Sequence, residues 1–236
     1  MDAHPSHQSP LSVGSPPDPG AAAAGNLLRP ALLLWLVTQV ALGLYVQAMA
    51  FLWRPEMDPD TYLMIWEVGY LLICGVVLWF VWPDPDARRV FARPRPRMVE
   101  LCLLVGVLTA LLLSMWENQI PSAWSKGSPI VFEKEAGWPV WASLIASSVA
   151  PALFEEWMYR GLLLQRFRRV LSPALAVAVQ AMLFAVMHRD EVMLLPHFVF
   201  GIVAGVLRIA AGSLWPCMLM HLLWNAHIVL LVYGLI

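Results

Sequence analysis

In the stretch SSVAPALFEEWMYRGLLLQRFRR, from Ser147 to Arg169, two carboxylates and an arginine (Glu155, Glu156 and Arg160) sit inside an apolar run with helical character. No charge lies between Gly137 and Phe154. On a helix, Glu156 and Arg160 stand four residues apart with the acid nearer the N-terminus, the favoured arrangement for an ion pair. Glu155 projects about 100° away from Glu156. One carboxylate therefore has a partner in its own helix, and the other needs a different use. Two more polar pairs follow at the same spacing: FAVMH places Phe184 and His188 on one helix face, and HLLWN places His221 and Asn225 on another. A free carboxylate, two imidazoles and an amide are the components of a hydrolytic site. The carboxylate and one histidine could activate a water, and the other histidine and the asparagine could donate hydrogen bonds to an oxyanion. Each pair alone also fits interhelical hydrogen bonding, a common use of polar side chains in membrane helices.

The elements that must position these residues follow from composition. The 236 residues are 60% hydrophobic and 13% charged, with mean hydropathy +0.67. A soluble domain carries about a quarter charged residues, so this chain is built for lipid. The sequence predicts an all-α membrane bundle of about seven spans, each needing about 20 apolar residues. These are Pro30–Trp53, Tyr62–Trp82, Met98–Trp116, Trp138–Leu164, Pro173–Met187, Val192–Ala211 and Leu214–Ile236. Residues 1–28, rich in Pro, Ser, Gly and Ala, read as a disordered tail ahead of a bundle over residues 29–236. No basic segment precedes the first apolar run, whose length suits a retained span rather than a cleaved signal.

Arginine placement sets an expected orientation. The second connection holds Arg88, Arg89, Arg93, Arg95 and Arg97, and the fourth holds Arg166, Arg168 and Arg169. The third sets two lysines against three glutamates. An excess of Lys and Arg marks cytoplasmic loops, which predicts a cytoplasmic N-terminus and an external C-terminus. A formal net charge of −1 with no basic domain argues against a nucleic-acid partner. Cys74, Cys102 and Cys217 lie in apolar runs and make no disulfide framework.

Within spans, a central ionisable residue costs at least about 2.5 kcal/mol and usually faces the bundle interior or a wet cavity. Glu67 lies near the outer end of the second span, where a carboxylate at the interface needs no further role. Glu155, Glu156 and Arg160 come as a set and require one.

Three motifs in order, E-E-x-x-x-R (EEWMYR), F-x-x-x-H (FAVMH) and H-x-x-x-N (HLLWN), resemble those of the CPBP family of intramembrane proteases. That family includes the Rce1-type CAAX prenyl endopeptidases and the bacterial Abi proteins. The likeness covers residues 138–236 and extends through RGLLLQRF and GIVAGVLRIAAGSLWPCMLMHLLWNA, while the first three spans show only generic hydrophobicity. The resemblance implies an endopeptidase of a bacterial cytoplasmic membrane, acting on a membrane-associated protein or peptide. It implies that Glu155 is the general base with His188 beside it. His221 and Asn225 would hold the oxyanion, and Glu156 and Arg160 would fix the first motif.

A metal-free glutamate mechanism is the favoured expectation. The alternative is zinc held by Glu155, His188 and His221 with a position open for water; no H-E-x-x-H is present. The competing function is a non-enzymatic immunity or interaction protein of the Abi type. His197 and His227 fit no motif and read as packing or interfacial residues. One expectation conflicts with the rest. His188 falls at the far end of the short fifth span, which sets it shallow on the opposite side from Glu155 unless the boundaries of that span are wrong.

Overall fold

The computed structural model describes residues 19–52, 58–81, 90–94, 96–117, 129–188 and 190–236. Every regular element among them is helical. Helix α1 (Pro19–Leu52) starts well before the expected Pro30, because the run Ala21–Ala24 strongly favours helix. The first 18 residues of the expected tail lie outside the described residues, as do Arg88, Arg89, Arg95 and the side chain of Glu67. Helices α2 (Pro59–Val81) and α3 (Pro96–Glu117) follow. A short helix, α4 (Pro129–Glu135), lies in the third connection and was not expected.

The remaining elements carry the polar motifs. Helix α5 covers residues 140–167, with α-helical backbone interrupted by wider π turns at Ile145–Val149 and Trp157–Leu163. Ser172 caps α6 (Pro173–Met187), its hydroxyl accepting from the Leu175 amide, and Pro173 fits the first turn where no N–H is needed. Helices α7 (Leu194–Ala211) and α8 (Trp215–Tyr233) both end at glycines in the left-handed region, Gly212 (φ 68°) and Gly234 (φ 72°). Such glycines close a helix without the Cβ penalty.

Helices α6 and α7 approach so closely that side chains are excluded between them. A Cβ on Gly201 would lie 2.8 Å from the Cα and Cβ of Ala181, and one on Gly205 would lie 2.8 Å from Nε2 of Gln180. Gln180 uses the proximity, donating to the Gly201 carbonyl at 2.8 Å. Small residues spaced by four are the common device for tight packing where lipid removes the hydrophobic drive between helices.

The connections sort by end. The Leu214 amide donates to the Val90 carbonyl (2.8 Å), and Phe91 packs against Trp215, so the second and sixth connections meet. At the opposite end Lys134 of α4 donates to the Val232 carbonyl and Tyr233 donates to the Trp138 carbonyl. The surface is strongly apolar: Leu44, Phe51, Trp79 and Leu112 are each at least 65% exposed. Among the described residues, Leu28–Tyr45, Leu194–Ala211 and Trp215–Tyr233 are long and apolar enough to cross a membrane. The protein is an integral membrane protein, its apolar surface matched to acyl chains rather than water.

Candidate active site

Helix α5 owes its irregularity to its sequence. Pro151 has no N–H to offer the carbonyl of Ser147 four residues back, and the π turn Ile145–Val149 lies over this gap. Asn225 of α8 donates Nδ2 to that same carbonyl at 3.0 Å. The proline thus frees the acceptor that holds the asparagine. The second π turn begins directly after Glu156, and such turns often occur at functional sites.

Glu156 and Arg160 are fully buried and joined by a 2.8 Å ion pair, the pairing their spacing predicts. The same oxygen, Glu156 Oε1, also meets Nδ1 of His221 at 2.9 Å. Arginine, glutamate and histidine therefore form one buried chain between α5 and α8. Glu155 is placed differently. Its Oε2 is enclosed, has no hydrogen-bond partner, and lies 3.9 Å from Nε2 of His221.

His188 caps the C-terminus of α6, and its Nδ1 is 2.9 Å from the Phe184 carbonyl. Helix α6 keeps the expected limits Pro173–Met187, so wrong boundaries are not how His188 reaches the others. The end of α6 comes to the level of the buried chain: Phe184 lies 6.0 Å from His221 and the Arg160 guanidinium sits 4.3 Å from the Phe184 centroid. Phe184 and Phe200 wall the site, with Phe200 5.0 Å from the His221 ring.

Three contributors were not visible as site residues in the sequence. His197 of α7 stacks on His188 with centroids 3.7 Å apart and planes 18° apart, so its packing role fixes a candidate catalytic ring. Trp35 of α1 donates to the Tyr159 hydroxyl at 2.9 Å, and that hydroxyl contacts Met187 Sδ at 3.0 Å. A narrow crevice of about 40 Å³ runs from Glu155 between α1 and α2, past Thr38, Tyr70, Cys74 and Phe154. The first helices are therefore more than generic hydrophobic spans. The available signals were Trp35, Thr38 and Gln39, polar groups in an apolar helix.

Residues 137–227, which include all six motif residues, match the family described as type II CAAX prenyl endopeptidase, Rce1-like. This stretch is similar to the Rce1-like family. No curated protein and no solved structure matches the chain. The matched stretch comprises α5, α6, α7 and most of α8, with α1 and α2 adding walls from outside it.

Donor chemistry alone leaves Nε2 of His188, Nε2 of His221 and the Glu155 carboxylate open to a metal. The Glu156–His221 contact is also the kind of outer hydrogen bond that orients a metal-bound imidazole. Among the described residues, however, no three His, Cys, Asp or Glu side chains converge into a metal-binding group. His227 is half-buried on α8.

Proposed function

We propose that the protein is an intramembrane endopeptidase that hydrolyses a peptide bond in a membrane-associated protein or peptide. The observation that carries this reading is the division of labour between adjacent carboxylates. Glu156 is committed to Arg160 and His221, while Glu155 is enclosed with an oxygen that has no hydrogen-bond partner, 3.9 Å from an imidazole nitrogen. A carboxylate held ready in this way is suited to take a proton from water.

The reaction then runs as follows. Glu155 removes a proton from a water positioned with His188, and the oxygen attacks the scissile carbonyl carbon. The π electrons move to the carbonyl oxygen, and the resulting oxyanion is held by His221 and Asn225. Collapse restores the C=O, breaks the C–N bond, and delivers the proton from Glu155 to the departing amine. With Nδ1 of His221 against Glu156, its Nε2 is left on the side of Glu155, where it would donate to the oxyanion. Asn225 has two amide hydrogens. The Ser147 carbonyl takes one, and the other is available to the oxyanion.

The Rce1-like match supports a peptide tethered at the membrane, and the crevice between α1 and α2 supports its approach from the lipid side. We propose seven crossings with the N-terminus and the even-numbered connections in the cytoplasm. No metal takes part in this mechanism. Exhaustive chelation of the purified protein tests that choice: cleavage of a membrane-anchored peptide should persist, and elemental analysis should find no stoichiometric zinc. Activity lost on chelation and restored by zinc, with metal content that disappears in His188→Ala and His221→Ala, would overturn it.

A further inference from the structure

A second polar feature lies at the end of the bundle where α5 gives way to α6. Gln165, Arg168, Arg169 and Arg208 line an open depression of about 290 Å³. Among the described residues no carboxylate lines it. Arg208, in the last turn of α7, is only 8% exposed, makes no ion pair among the described residues, and has an enclosed Nε without a hydrogen-bond partner. The charged groups that line the depression with it, Arg168 and Arg169, are like charges. A buried guanidinium with no counter-charge is among the costliest arrangements in a fold. The arrangement calls for an anion.

We propose that this depression binds the phosphate of an anionic phospholipid headgroup. Arginine forks match phosphate oxygens in bidentate geometry, and Gln165 adds an amide donor beside them. The depression sits at the boundary between the exposed apolar helices and the arginine-bearing fourth connection, the depth at which headgroup phosphates lie. Basic pockets between membrane helices commonly hold such headgroups. The site is separate from the Glu155 cluster and does not depend on the proteolytic reading.

The test uses the full-length protein in detergent, titrated with phosphatidylglycerol, with phosphatidylcholine, and with inorganic phosphate, reading thermal stability and lipid adducts by native mass spectrometry. Phosphatidylglycerol should bind and stabilise, and phosphatidylcholine should do so much less. Arg168→Ala removes an exposed group, so the variant should keep its melting temperature in detergent yet bind phosphatidylglycerol about fivefold more weakly, the effect of one basic residue near an anionic surface. Arg208→Gln should weaken binding at least as much; if it fails to fold, Arg168→Ala alone decides the matter. Equal response to the two lipids, or undiminished phosphatidylglycerol binding in Arg168→Ala, would overturn the proposal. Protection by inorganic phosphate equal to that by phosphatidylglycerol would make the site a soluble-anion site and overturn the lipid assignment.

Discussion

Arg160 and Asn225 both belong to the proposed site, yet their loss should read out differently. Arg160→Ala leaves Glu156, fully buried, with only His221 as a partner. Breaking a buried pair costs about 3–5 kcal/mol, so the variant should unfold at markedly lower denaturant concentration as well as lose activity. An inactive Arg160→Ala protein of wild-type stability would instead place the guanidinium on the substrate. Asn225→Ala removes one hydrogen bond to a carbonyl, worth about 1 kcal/mol. Its turnover should fall by about 10²–10³, the usual cost of an oxyanion donor. A stability loss as large as that of Arg160→Ala, with kcat unchanged per folded molecule, would make Asn225 a fastener only. The pairing of Glu156 with Arg160 was legible because it depends on spacing within one helix. The shared bond from His221 to Glu156 and the stacking of His197 on His188 were not. They arise between helices, where sequence separation carries no geometric information.

Elements set the depth at which these groups meet. The limits of α6 were legible from Ser172, Pro173 and the apolar run. The level of its far end was not, because that depends on how the helix slides against its neighbours. Gly201 and Gly205 set this contact on the α7 side. Gly201→Val should force the two helices apart, since the new Cβ would meet the backbone of Ala181 at 2.8 Å and backbone cannot swing aside. Overpacking of this kind costs about 1–3 kcal/mol, and His188 and His197 would separate with the helices that carry them. Thermal unfolding and cleavage assays on one preparation check this: both should fall, and a variant with unchanged melting and activity would show that the close approach does not hold the site. The π turns in α5 were likewise hidden. Pro151 marked a place where an α-helical bond is missing, but not that Asn225 would use the freed carbonyl.

At the scale of the molecule, the apolar runs located the helices to within a few residues except at Pro19 and at the short α4, where helix propensity and local packing acted without a hydrophobic signal. Topology is testable because Cys74, Cys102 and Cys217 are buried and offer little background for labelling. A membrane-impermeant maleimide should label Arg93→Cys and Arg168→Cys from the cytoplasmic side and Lys134→Cys from the outer side. The reverse pattern would invert the proposed orientation. The whole arrangement, from the apolar belt to the crevice and the buried chain of Arg160, Glu156 and His221, serves one claim: Glu155 is the base. Glu155→Gln keeps shape and removes basicity, so the most direct measurement is its single-turnover cleavage of a membrane-anchored peptide beside its melting temperature. The account predicts no detectable cleavage with wild-type insertion and melting. Cleavage near the wild-type rate would contradict it.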